Sequence, residues 1–303
     1  MLVAVLGVGG VGGFFGAKLA RYYGSQKDVK IAFIARGEHL RQIKNRGLEA
    51  VTVTGSFVAA PQIATEDPES IGIVDLLLFC VKTYDLEIGA RMLEKNLGPQ
   101  STVLPLMNGV DNTARLTAIL PDCKLLNGCA YVSSHIVMPG VVQQVGGPGQ
   151  LLFGPEDGNT RPFIHIEKIL KKAGINTELK SDINDIVWEK YIFLSPMAAV
   201  TSLYGEPFGV VLEKGERRDL LEGLIQEVVR IAKGITVAED IMEITLKRAS
   251  SFPPKTKSSM QLDFEKGKRT ELESLIGYPM KTGEDLGVET PLYRMVYSEL
   301  KRR

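Results

Sequence analysis

Six residues, Gly7-Val8-Gly9-Gly10-Val11-Gly12, limit this chain more than any other feature. They read G-x-G-x-x-G and stand between an apolar run, residues 2–6, and an amphipathic stretch, residues 13–23. A strand feeding a glycine turn that opens a helix is the context a dinucleotide-binding fold requires. In that reading Gly7 permits the tight turn and Gly9 lets the backbone approach a pyrophosphate. Gly12 allows close helix–strand packing, with the phosphates over the helix N-terminus.

The following segments keep the alternation. Residues 30–34, 74–81 and 101–106 are rich in Val, Ile and Leu without period-2 patterning, which predicts strands buried on both faces of a parallel sheet. Residues 37–46, 84–93 and 111–119 are the helical segments between them, so the first part reads as a doubly wound α/β sheet of the Rossmann type. Residues 125–132, 141–145 and 150–153 read as strands extending that sheet in antiparallel fashion. Residues 160–174 read as a helix ended by Gly174. From about Ser181 only helical periodicity remains. Asp182 is placed to cap a helix running through Lys190. Further helices are predicted over 213–234, 237–251 and 270–286, with a kink at Pro279, and over 292–301, with Pro291 at its first position. The expected organisation is a Rossmann domain over residues 1–181 and an all-helical domain over 182–303. A chain of 303 residues has room for both cores.

Charge narrows the function classes. Lys plus Arg number 36 and Asp plus Glu number 36, so the chain lacks the basic excess that nucleic-acid or membrane-surface binding demands. No apolar stretch reaches the ~20 residues needed to span a bilayer. The N-terminus has neither a basic n-region nor a cleavage site, so it is not read as a signal peptide. The expectation is a cytoplasmic protein. Cys80, Cys123 and Cys129 form no CxxC and no paired framework, which predicts reduced thiols, with Cys80 a small core residue. His39, His135 and His165 show no metal-ligand spacing, and no metal is expected.

The cofactor choice turns on the end of the second strand. An acidic residue there would hold the ribose 2′-hydroxyl of NAD, whereas this chain has Arg36, whose guanidinium matches a 2′-phosphate. Glu38 lies two residues too late, and the residues favour NADPH. Lys82, at the end of the third central strand, faces either the ligand crevice or plain solvent. Asn108-Gly109 is either a turn or an amide at the sheet rim. Lys190 falls on the apolar stripe Ile183, Ile186, Val187, Leu194 and Met197, where a charge is costly unless it is paired or lines a cleft. Partial desolvation there would suit a general acid, and snorkelling between helices is the other reading. Ser258-Ser259 and Glu271, taken alone, look like loop and helix-surface residues.

Together these motifs resemble ketopantoate reductase (2-dehydropantoate 2-reductase). The resemblance spans nearly the whole chain. Its marks after the glycine loop are Arg36-Gly37-Glu38-His39-Leu40, Val81-Lys82-Thr83, Met107-Asn108-Gly109-Val110, Trp188-Glu189-Lys190, Ser258-Ser259-Met260 and Arg269-Thr270-Glu271-Leu272. It implies NADPH-dependent reduction of the 2-keto group of ketopantoate to pantoate, on the route to pantothenate and coenzyme A. It implies that Arg36 and Lys82 bind the 2′-phosphate end of the cofactor and that Asn108 sits between nicotinamide and substrate. Lys190 would be the general acid and Ser259 would hold the substrate carboxylate. Glu271 would contact the nicotinamide ribose or the substrate, and the Ser134 backbone would touch the cofactor. A homodimer is compatible with it. The chain departs from the pattern at Leu194, Ala198 and Thr256, where the family usually carries asparagines that shape the substrate pocket. A reductase of a different, more apolar 2-oxoacid is therefore an alternative, and a non-catalytic NADPH sensor is a second. Retention of Lys190 and Glu271 speaks against the sensor.

Overall fold

The computed structural model describes residues 1–232 and 234–303, which form two compact units. The first comprises Met1–Met107 with Asp111–Ile183, the second Asn108–Val110 with Asn184–Arg303.

The first unit carries eleven strands: β1 Leu2–Leu6, β2 Lys30–Ile34, β3 Leu48–Thr52, β4 Gly55–Ala59, β5 Ile63–Thr65, β6 Leu76–Phe79, β7 Thr102–Pro105, β8 Lys124–Leu125, β9 Asn127–Met138, β10 Val141–Gly154 and β11 Asn176–Leu179. Its helices are α1 Gly10–Tyr23, α2 Gly37–Arg46, α3 Leu86–Leu93, α4 Asn112–Ile119 and α5 Ile164–Lys172. Six strands pair in parallel in the order β5-β2-β1-β6-β7-β8. Numbered among themselves, these run 3-2-1-4-5-6, the doubly wound order in which the chain reverses direction between β1 and β6. The run of apolar residues follows from double-sided burial. Val3 and Val5 face one core while Ala4 and Leu6 face the other, and Ile31 and Phe33 alternate in the same way with Ala32 and Ile34. Complete burial of Phe15, Phe33 and Phe79 contributes about 1.5–3 kcal/mol each.

The later strands do not extend this sheet. β9 and β10 form a long antiparallel hairpin, and β10 pairs in parallel with β3 and β11, giving a separate five-stranded sheet ordered β11-β10-β3-β4 with β9 on β10. Residues 48–65 supply three strands that periodicity does not announce, because their faces are mostly half-exposed or exposed. Cys80, one residue beyond β6, is half-buried and packs against the core that holds Val3 and Val5, as expected of a small core residue.

The second unit contains helices and no strand among the described residues. They are α6 Ile183–Tyr204 (from its second residue), α7 Phe208–Val211, α8 Glu216–Ile231, α9 Ile241–Ser250, α10 Ser259–Glu265, α11 Tyr278–Leu286 and α12 Pro291–Lys301. The helix expected over 213–234 is α8, and its position 233 lies outside the described residues. Leu221, Leu224, Ile225 and Val228 of α8 recur at three- and four-residue spacing and pack with Tyr293 and Val296 of α12 and with Ala199 and Val200 of α6. The helix expected over 270–286 runs from Leu272 to Leu286 without a gap, but not as a regular α-helix. Glu273–Gly277 forms a wider π-turn, and α11 begins after it with Pro279 in its first turn.

Candidate functional site

In the first unit the glycine loop occupies the chain reversal between β1 and β6. Gly7 has φ +84°, a conformation that disfavours side chains, and its N–H donates to the Ile34 carbonyl at 3.1 Å. A Cβ on Gly7 would lie 2.9 Å from the backbone of Cys80 and Val81, so the loops after β1 and β6 pack directly on one another. A Cβ on Gly12 would overlap the Gly7 carbonyl oxygen, and one on Gly10 would overlap the carbonyl oxygen of Ser134. A Cβ on Gly9 would meet nothing within 4 Å. Three of the glycines thus close the loop, while the fourth borders open space. α1 starts at Gly10 with no side-chain cap on its first-turn N–H groups. That is the donor array an anion takes at a helix start. The Ser134 Oγ beside this loop is buried and has no hydrogen-bond partner among the described residues.

Arg36 occupies the position before α2, with its side chain 88% exposed. Its guanidinium lies 3.8 Å from the Asp85 carboxylate, and the Asp85 N–H donates to the Lys82 carbonyl at 2.8 Å. The ends of β2 and β6 therefore bring Arg36 and the Lys82–Asp85 turn side by side. Glu38, the acidic residue of the same segment, pairs with Arg41 and accepts from Gln42 at 2.7 Å. Those contacts hold its carboxyl below the usual range, the Gln42 hydrogen bond foremost. His39 accepts the Gly140 N–H at 3.0 Å through Nδ1. Burial holds its imidazole below the usual histidine range, against a pull from the Val8 carbonyl that stops short of full hydrogen-bonding geometry at Nε2.

In the second unit three of the expected residues meet. Lys190 Nζ donates to Asn108 Oδ1 at 3.4 Å, and Asn108 Nδ2 donates to Glu271 Oε2 at 3.4 Å. The amide thus joins the ammonium to a carboxylate that is only 4% exposed. Both bonds are long, the geometry of a cluster that a ligand can tighten. On α6, Ile186, Val187, Lys190 and Leu194 are half-buried, whereas Tyr191, Ser195 and Ala198 are buried. The lysine's face is the more open one.

The buried face of α6 does different work. Tyr191 Oη donates to the Ser274 carbonyl at 2.7 Å, and Ser195 Oγ donates to the Leu275 carbonyl at 2.6 Å while meeting Tyr293 Oη at 2.7 Å. The π-turn explains why those carbonyls need partners. The Tyr278 N–H bonds to the Glu273 carbonyl, five residues back, and Pro279 has no N–H for either Ser274 or Leu275. Sequence reasoning singled out Lys190 and Glu271 but missed the hydroxyls that tie their two segments together. Buried hydroxyls at positions 191 and 195, four apart on a helix, were the available signal, because such groups must find partners.

Ser258 and Ser259 separate in role. Ser258 is buried, caps α10 by accepting the Gln261 N–H at 3.1 Å and bonds Thr201 Oγ1 at 2.7 Å. Ser259 is exposed at the start of α10 and, among the described residues, hydrogen-bonds to none of Asn108, Lys190 and Glu271. Ala198 is 1% exposed within the helical core, so of the two departures on α6 only Leu194 shares the open face with Lys190.

Residues 3–158 match the family model described as Ketopantoate reductase PanE/ApbA, and residues 182–303 match Ketopantoate reductase PanE/ApbA C terminal. The 2-dehydropantoate 2-reductase of Halobacterium salinarum is 30% identical over 97% of this chain and 96% of its own length. The crystal structure of 2-dehydropantoate 2-reductase from Porphyromonas gingivalis W83 is 30% identical, covers 99% of each chain and has a TM-score of 0.84. D-mandelate dehydrogenase, solved with NADH and anilino(oxo)acetate, shares the fold at a TM-score of 0.86 and 21% identity, over 100% of this chain and 98% of its own. No helix among the described residues is long and apolar enough to cross a membrane. The chain belongs to the ketopantoate reductase PanE/ApbA family of oxidoreductases.

Proposed function

We propose that this protein is a cytoplasmic NADPH-dependent 2-oxoacid reductase whose substrate is 2-dehydropantoate, reduced to pantoate on the route to pantothenate and coenzyme A. The observation that carries this reading is the Lys190–Asn108–Glu271 cluster, a proton donor held by an amide and a buried carboxylate. The open space at Gly9, the exposed guanidinium of Arg36 and the neighbouring Lys82 turn suit a dinucleotide with a 2′-phosphate. Glu38, already engaged with Arg41 and Gln42, is poorly disposed to serve the 2′-hydroxyl of NAD instead.

When bound, NADPH supplies a hydride to the keto carbon. Lys190 gives its Nζ proton to the carbonyl oxygen, so the C=O group becomes a secondary alcohol and the lysine is left neutral until water reprotonates it. Asn108 Oδ1 accepts from the ammonium, and Glu271 holds that amide in place through its Nδ2. Ser259 offers an exposed hydroxyl to the substrate carboxylate.

A second substrate reading rests on Leu194, one helical turn beyond Lys190 on the same half-buried face. An alkyl side chain there favours a 2-oxoacid without a terminal hydroxyl. NADPH oxidation assayed against a panel of 2-oxoacids tests both. Turnover led by 2-dehydropantoate supports the first, turnover led by an alkyl 2-oxoacid supports the second, and turnover of none contradicts both.

A further inference from the structure

We propose that the first unit carries an anion-binding site at the far end of α1, suited to a small metabolite bearing a phosphate or polycarboxylate group. A cavity of about 520 Å³ opens there, lined by Lys18, Arg21 and Lys172 together with Tyr22, Thr54 and Phe57 and their neighbours, none of them acidic. Its volume lies in the range of small-molecule pockets, roughly 300–1,000 Å³. Arg21 lies about 16 Å along the helix from Gly10, at ~1.5 Å per residue, so the site is separate from the glycine loop.

Two of the three cations, Lys18 and Arg21, are held by contacts of their own, while Lys172 is exposed at the rim. Lys18 is half-buried, donates to the Gly174 carbonyl at 3.0 Å and sits 5.2 Å from the centre of the Phe14 ring. The Arg21 guanidinium stacks 4.5 Å from the centre of the Phe57 ring. No carboxylate pairs with Lys18, Arg21 or Lys172 among the described residues, whereas neighbouring Lys171 is paired with Glu167. Burial, and then the charge of Arg21, holds the Lys18 ammonium below the usual lysine range.

Helix ends account for only part of this charge. α1 and α5 both finish here, and each C-terminus offers about half a negative charge. Together they offset roughly one of the three positive charges, leaving about two without a counter-charge. A dianionic oxyanion between Lys18, Arg21 and Lys172 supplies it. Charge-assisted contacts to ammonium and guanidinium groups are the strong ones, and Tyr22 in the lining gives the rest of a metabolite an apolar flank.

The test is a thermal-shift titration with inorganic phosphate, and in a second arm citrate, at constant ionic strength made up with chloride. Three variants are compared: Lys18→Gln, which keeps a donor for the Gly174 carbonyl, Lys172→Gln at an exposed position, and Arg36→Ala, which removes the other anion-facing cation. The expected result is a saturable rise in Tm that Arg36→Ala retains. Lys18→Gln and Lys172→Gln should each raise the half-saturating concentration roughly tenfold. Saturation by phosphate alone assigns a phosphoryl ligand, and saturation by citrate alone a polycarboxylate. A rise lost in Arg36→Ala, a rise unchanged in both glutamine variants, or no saturable rise with either anion overturns the proposal.

Discussion

The hydroxyl of Tyr191 donates to the Ser274 carbonyl over 2.7 Å inside the helical unit. With Ser195 on the Leu275 carbonyl, it fastens the helix of Lys190 to the turn that follows Glu271. Tyr191→Phe leaves the Ser274 carbonyl without this strong partner, and Ser195→Ala does the same to Leu275. Each should cost about 0.5–1.5 kcal/mol in chemical denaturation, the range for one lost hydrogen bond. Pro279→Ala returns an N–H to the turn, so the Tyr191→Phe loss should shrink in that background. Equal losses in both backgrounds would show that Pro279 is not what leaves these carbonyls in need.

Arg36 sets the expected cofactor preference. Arg36→Ala should weaken NADPH binding roughly ten- to a hundredfold, the worth of one charge-assisted contact, and leave NADH nearly unchanged. Fluorescence titration of both cofactors measures it. Similar affinities of the wild type for the two would remove the NADPH assignment.

His39 gives the fold a pH dependence of known sign. Its folded-state pKa lies below the usual value because the ring is buried, so the unfolded chain takes the proton first. The stability it contributes is present above the unfolded pKa of about 6.5 and is lost as pH falls through the folded value. His39→Asn keeps an acceptor for the Gly140 N–H and removes the titration. Its Tm should therefore fall less steeply than that of wild type between about pH 7.5 and about pH 5. Parallel curves would assign the slope to other groups.

Leu194 and Ala198 should behave differently although both stand where the family usually has asparagine. Leu194→Asn, on the open face, should raise the ratio of kcat/KM for 2-dehydropantoate over its deoxy analogue. Ala198→Asn puts an amide into a packed core and should mainly lower stability, by about 1–3 kcal/mol for an unpaired buried polar group. A specificity gain at Ala198 with stability intact would place that residue in the pocket after all.

The doubly wound parallel sheet was legible because burial on both faces writes an unbroken apolar run, as in Leu76–Phe79, and because Gly7–Gly12 allows few alternatives. The second sheet was not. Strands such as Gly55–Ala59 are mostly exposed, and β9 extends six residues past Val132 through largely exposed positions, so neither leaves a clean period in the sequence. Lys190 was visible as a charge on an apolar stripe. Its partnership with Asn108 was not, since 82 residues separate them and no local pattern encodes that contact. The π-turn was half visible: Pro279 marks an irregularity in the helix, but the hydroxyls compensating it come from α6.

The central claim is that Lys190 donates the proton in an NADPH-dependent reduction, and steady-state NADPH oxidation by Lys190→Ala with 2-dehydropantoate tests it most directly. A positioned general acid is worth roughly 10²–10⁴-fold, so kcat should fall by that factor while NADPH affinity and Tm stay close to wild type. A variant that keeps near-normal kcat, or loses only stability, would contradict the account and make Lys190 a structural lysine at the edge of the helical core.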